Sequence, residues 1–304
     1  MKESNFEYIE KEFSNCANCS ATVETLFSGS IWAEGPAYFP AQRSLIWSDI
    51  PNNRMLRWDE LTGKTGVFRH DSNFANGNTV DRQGRLVSCE QGDRRVTRTE
   101  HNGRITVLAD RYQGKRFNSP NDVVVKTDGS IWFTDPSYGI DTYFEGHKAE
   151  SEIGGDHVYR IDPGNGECQI VADDFRRPNG LAFSVDESTL YIVDSGGDRY
   201  PENPRHIRQF NVHENGRLTG GEVFAECTCG SFDGLRLDED GRIWTSAGDG
   251  VHCYEPGGAL LGKILVPEAV SNLVFGGLRY NRMFITASSS LYTVLLSVRG
   301  LKTF

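Results

Sequence analysis

The chain has 304 residues, 38% of them hydrophobic and 11% aromatic, enough apolar material for a sizeable core and too much for global disorder. A formal net charge of -10 leaves no basic field to replace phosphate counterions, so nucleic acid is excluded as an expected partner and cations or neutral small molecules are favoured. No run approaches the roughly 20 apolar residues of a membrane helix, and the opening MKESNFEYIEKEFSN lacks the apolar centre of a signal peptide, so no membrane association and a cytoplasmic location are expected.

In chain order, residues 1–20 read as an N-terminal extension and 21–304 as a single domain. The extension carries a CxxC at Cys16 and Cys19, and a CxC follows much later at Cys227 and Cys229. A zinc site needs a second such pair or a following His pair, so the seven cysteines read as scattered thiols of a reducing compartment. Next, Thr22 to Phe27 has the character of a strand that pairs with the last unit of the chain and closes a ring.

From there a repeat organises the sequence. Apolar strand anchors recur at Leu45-Ile46-Trp47, Leu86-Val87-Ser88, Ile131-Trp132-Phe133, Leu190-Tyr191-Ile192, Ile243-Trp244-Thr245 and Met283-Phe284-Ile285, at spacings of 41, 45, 59, 53 and 40 residues. Helical periodicity is weak, and 33 glycines with many Asp-Gly and Asn-Gly pairs favour hairpins. Six such units predict an all-β chain folded as a six-bladed β-propeller. The two long spacings mark insertions, Tyr138 to Gly155 in the third unit and Gly196 to Arg205 in the fourth.

Ten or eleven residues before the anchors stand Glu34, Asn76, Asn121, Asn179, Asp233 and Asn272, all with oxygen-bearing side chains. In a propeller the innermost strands line a central channel, so residues at one phase converge on one end of it. Asn or Asp before Gly is also a turn former; six in phase point instead to a hard-cation site. Two carboxylates and neutral amide oxygens suit calcium, magnesium fits the oxygens less well, and the absence of His and Cys at this phase disfavours zinc and copper.

The segments AEGPAYFPAQRSLIWSDI, SPNDVVVKTDGSIWFTD, RPNGLAFSVDESTLYIVD and SFDGLRLDEDGRIW resemble, in order, four signature segments of the gluconolactonase/regucalcin (senescence marker protein) family. The resemblance spans about Trp32 to Val298 and implies a propeller with one catalytic divalent metal in the channel, usually calcium, with magnesium, manganese and zinc as the other candidates. It implies Glu34, Asn121, Asn179 and Asp233 as the ligands. It also implies hydrolysis of a sugar lactone such as gluconolactone to the aldonic acid. Relatives of this shape include diisopropyl fluorophosphatase and strictosidine synthase, so fold alone does not fix the reaction.

Lactone opening needs a polarised carbonyl and an activated water. Asp233 is the expected general base, with a metal-bound hydroxide as the competing means of activation. Arg116, Phe117 and Asn118 resemble a substrate-contacting Arg-Phe-Asn stretch of some family members, which makes Arg116 and Asn118 expected substrate contacts together with Tyr138. Asp135 and Asp194 read either as strand-end caps or as site residues, and Asp49 and Glu90 at the same phase favour the cap. No Gly-x-Ser-x-Gly nucleophile elbow occurs. Two other readings stay open: an esterase or phosphotriesterase on the same metal site, and a non-enzymatic calcium-binding propeller. The sequence leaves the oligomeric state undetermined.

Overall fold

Short runs of β-branched and aromatic residues separated by glycine-containing turns favour antiparallel pairing over helix. The computed structural model describes residues 5–18 and 20–302, and folds them into six antiparallel sheets arranged as the blades of a propeller, with a small two-stranded ribbon, Arg111–Tyr112 and Lys115–Arg116, between the second and third in the chain. The blades occupy residues 33–70, 75–109, 123–172, 178–226, 235–265 and 270–295, and are called I to VI. Every apolar anchor of the repeat lies in the second strand of its blade, from Ser44–Asp49 in blade I to Arg282–Ala287 in blade VI. Those strands are apolar on both faces because each blade packs between two neighbours. Trp47, Trp132 and Trp244 are fully buried in these inter-blade layers.

The ring closes as the repeat predicts. Glu24–Ser28 adds antiparallel to Ser290–Leu295 and supplies the fourth strand of blade VI. The stretch before residue 21, which the sequence sets apart as an extension, is attached to the propeller over its described part. Phe6–Tyr8 pairs with Leu260–Leu265 as a fifth strand of blade V. Phe13, wholly buried, packs with its ring centroid 6.1 Å from that of Trp244. A three-residue strand carries no readable period, and so left no sign in the sequence. Cys16 is buried beside this seam, and Cys19 lies outside the described residues.

The inner strands run from one mouth of the channel to the other. They start at Ala33, Ala75, Val123, Pro178, Leu235 and Val270, which places the six in-phase residues at one mouth, called here the near mouth. Among the described residues, no helix is long and apolar enough to cross a membrane.

Candidate active site

The in-phase residues do not sit in turns. In blades I, II, IV and VI the ladder between the first two strands slips where they occur, so that Glu34 pairs with Ser48 but the next partner of the second strand is Ala37. The same slip falls between Ala75 and Asn78, between Pro178 and Leu181, and between Val270 and Asn272. A bulge bends the strand and re-aims a side chain that a regular ladder would turn into a blade interface.

The following glycine has a separate cause. A Cβ on Gly77 would lie 2.4 Å from the carbonyl oxygen of Asn121, and one on Gly180 would lie 2.2 Å from that of Asp233. The backbones must approach this closely because each glycine N–H donates to the carbonyl in its path, Gly77 to Asn121 at 2.7 Å and Gly180 to Asp233 at 3.0 Å. The repeated Asn-Gly and Asp-Gly pairs are thus the joints by which neighbouring inner strands are fastened together.

Four of the expected ligands, Glu34, Asn121, Asn179 and Asp233, line one cavity of about 510 Å³, and Asn76 joins them. Asn272 stands behind, its Nδ2 donating to Glu34 Oε2 at 3.1 Å. Gly35 N donates to the same oxygen at 2.5 Å. Asn179 Nδ2 donates to Ser195 Oγ at 3.1 Å, which fixes the amide plane, and Ser195 Oγ donates to Phe232 O at 2.6 Å. Asp233 is held through its backbone, its N–H donating to Ser246 Oγ at 3.0 Å.

The electrostatics of this mouth are one-sided. Burial, then the Asp122 carboxylate, push Glu34 up to about 8. Asp233 is raised well above the usual carboxylate range by burial first, then by Glu34, Asp122, Glu145 and Asp198. Glu145 is pushed up to about 7, chiefly by burial. Arg205 alone among the cavity-lining residues carries a positive charge.

The two insertions meet over the cavity. Tyr138 opens the short helix Tyr138–Asp141, and its hydroxyl donates to Asp198 Oδ2 at 2.8 Å, within the turn Gly196–Asp198 of the other insertion. The Arg177 guanidinium lies 4.3 Å from the centre of the Tyr138 ring and also pairs with Asp141, which Arg199 holds at 2.6 Å. Tyr138 therefore lines the cavity at the junction of the two insertions. Trp32, Phe144, Phe232 and Val270 give the cavity apolar walls.

Arg116 and Asn118 lie outside this cavity. Arg116 donates from its backbone to Glu152 Oε2 at 2.9 Å and from Nη2 to Asp93 O at 3.0 Å, on the exposed flank of blade III. Asn118 is fully buried and spent on its surroundings: Nδ2 reaches Gly155 O at 2.9 Å and Asp156 Oδ1 at 3.1 Å, and Oδ1 accepts from Ser151 Oγ at 2.6 Å. It steadies the base of the blade III insertion. Asp135 and Asp194 are strand-end latches: Asp135 accepts from the N–H groups of Asn118 and Ser119, each at 2.8 Å, and Asp194 from those of Arg176 and Arg177, each at 2.9 Å. Glu145, Asp198 and Arg205 reach the cavity from the insertions, whose conformation no repeat dictates.

The residues present fit a hard divalent cation. Glu34 Oε1 and Asn76 Oδ1 are buried with no hydrogen-bond partner among the described residues. An orphaned carboxylate oxygen in such a site is costly unless a cation takes it up. Among the described residues, no His or Cys lines the cavity, so a soft or borderline ion lacks its usual ligands there. Two carboxylates with amide oxygens are donors of the kind such a cation takes.

The fold and this cavity define a class: a six-bladed propeller with an oxygen-lined binding site at one mouth of its channel. Residues 32–289 match the SMP-30/Gluconolactonase/LRE-like region, and the chain belongs to that family. The gluconolactonase of Zymomonas mobilis is 31% identical over 92% of this chain and 83% of its own length. A pentonolactonase of Haloferax volcanii is 29% identical over 84% of this chain and 81% of its own. A solved gluconolactonase of Xanthomonas campestris superposes with a TM-score of 0.89 at 39% identity, covering 96% of this chain and 94% of that one.

Proposed function

We propose that this protein hydrolyses a neutral, hydroxylated lactone, of the gluconolactone kind, to the open-chain acid at the near mouth, with a divalent cation, best calcium, held by Glu34, Asn121, Asn179 and Asp233. The observation that carries the reading is the convergence of these four side chains, from four blades, on one cavity where Glu34 Oε1 has no partner. Lactonase relatives that align over most of this chain support the substrate class.

When bound, the cation supplies Lewis-acid polarisation of the ester carbonyl. Asp233, which lines the same cavity, takes the proton of the attacking water. Asn179, fixed by Ser195, and Asn121 contribute neutral oxygens that bind without adding negative charge. Trp32, Phe144 and Phe232 cover apolar faces of the ligand and exclude water, while Tyr138, Asp198 and Arg205 offer hydrogen bonds to its hydroxyl groups. The excess of carboxylates at this mouth selects against anionic lactones and favours departure of the acid product.

Acid release from glucono-δ-lactone in a pH-stat, corrected for spontaneous opening, tests the reading. Chelated protein should be inactive and calcium should restore turnover. No turnover with any divalent cation, in protein that calcium still stabilises, would overturn lactone hydrolysis and leave a binding propeller.

A further inference from the structure

The channel has a second cavity at its other end, where the inner strands finish. It encloses about 140 Å³ between Val80, Val125, Phe183, Leu237 and Phe275, and Arg236 lies in its wall. Its charge is opposite to that of the near mouth. Arg82, Arg236 and Lys302 line it against one carboxylate, Glu187, which is already shared between Arg82 and Lys126 at 3.2 Å each. In a chain of net charge -10 this is a local reversal of sign.

Arg236 is the unusual member. It belongs to the inner strand Leu235–Leu237, whose neighbours in the sequence are buried leucines, yet its side chain keeps 15% exposure. Among the described residues its guanidinium donates one hydrogen bond, to Leu235 O at 2.6 Å, and stands 3.7 Å from Asp122 Oδ2, too far for a second. A guanidinium carries five N–H donors in a planar fork suited to a carboxylate. That fork faces the buried Asp122 carboxylate as its ion-pair partner, donates a single hydrogen bond, and borders an apolar cavity.

We propose that the far mouth is a second binding site, for a small carboxylate with an apolar body, its charge on the Arg236 fork and its body between Val80, Val125, Phe183 and Phe275. The size is right for one ring or a short branched chain, since a dry cavity of about 150 Å³ accepts benzene. A polyol would leave its hydroxyl groups unpaired against these walls, so the lactone and its product are poor occupants. The C-terminal side of the site is built by Leu301, whose N–H donates to Leu237 O at 2.9 Å.

Titration calorimetry of benzoate into the full chain, in chelator so that no cation is available at the near mouth, tests this. Wild-type protein should bind benzoate saturably, and benzyl alcohol, which has the same body without the charge, about 10- to 100-fold more weakly. Arg236→Met should abolish the benzoate heat. Should Arg236→Met fail to fold, Val185→Asp, which adds a carboxylate at the half-exposed rim, should weaken benzoate several-fold. No saturable binding by wild type, or equal binding by wild type and both variants, would overturn the proposal. Binding that persists in Asp233→Asn supports it, because the far site does not depend on lactone hydrolysis or its metal; loss of binding in that variant would assign benzoate to the near mouth and overturn it.

Discussion

The two mouths of the channel are built from the same six strands, and they differ in what the strands do there. At the near mouth the ladders of blades I, II, IV and VI bulge and oxygens line the cavity; at the far mouth the ladders are regular and present Val80, Val125, Leu237 and Phe275. Among the described residues, the first arrangement leaves a carboxylate oxygen without a hydrogen-bond partner, the second an arginine fork that donates a single hydrogen bond. Glu34 and Asn179 sit at such slips, and Asn121 and Asp233 stand just ahead of their strands, so the site draws on residues outside regular pairing while the regular stretches supply walls. Between the two stands Asp122, buried where blades I, II, IV and V have glycine, with its Oδ1 accepting from Val123 N–H at 2.9 Å.

The sharpest break in this comparison is between Asp233 and Arg82. Asp233→Asn should lower kcat on glucono-δ-lactone by about 10²–10⁴-fold, while Arg82→Ala should leave it unchanged, both read in the pH-stat. Equal losses would remove the distinction between the mouths.

Next in size is the cation. Calcium at about 100 times its Kd should stabilise the wild type by about 2.7 kcal/mol in denaturant titrations, and Glu34→Gln should lose most of that gain. Its pH dependence follows from Glu34, raised from 4.5 to about 8 in the cation-free fold. The folded state then holds its proton more tightly than the unfolded chain does. Stability contributed by this group is present below pH 4.5 and is lost as pH rises towards 8. Chelated protein should therefore melt lower at pH 8 than at pH 5, and calcium should flatten the difference.

The joints between blades come third. Gly180→Ala places a methyl 2.2 Å from Asp233 O and should cost about 1–3 kcal/mol, measured by urea unfolding. Smallest is Tyr138→Phe, which removes the hydrogen bond to Asp198; a loss of about 1 kcal/mol should appear as a few-fold rise in KM with kcat kept.

The sequence carried the propeller plainly, because each second strand is buried on both faces and repeats as an apolar anchor, Leu45 and Met283 included. Phase also brought Glu34, Asn121, Asn179 and Asp233 together, since a channel converts equal spacing into convergence. Three residues away the expectation for Asn118 rested on resemblance and not on phase. Asn118 is close to Asn121 in the chain, but its side chain is hydrogen-bonded into the base of the insertion, and spacing does not encode direction before the strand Val123–Val125 has begun. Glu145, Asp198 and Arg205 were unreadable for a related reason: they belong to insertions that other blades lack. The Asn-Gly pairs had a correct address and an incomplete explanation, since the glycine answers to the neighbouring blade and not to a turn.

The closure of the ring has a consequence in time. Ser28 and Ser290, whose hydroxyl groups meet at 2.9 Å, are 262 positions apart in the chain. The strand Glu24–Ser28 is made early and must stay unpaired until blade VI has been synthesised and folded. Contacts of such separation slow folding, because the loop must close before the contact rewards it. The same latch works in reverse once shut: no blade can peel away from an end without first opening a seam that joins the beginning of the chain to its close. The native ring should accordingly be long-lived well beyond what its equilibrium stability suggests.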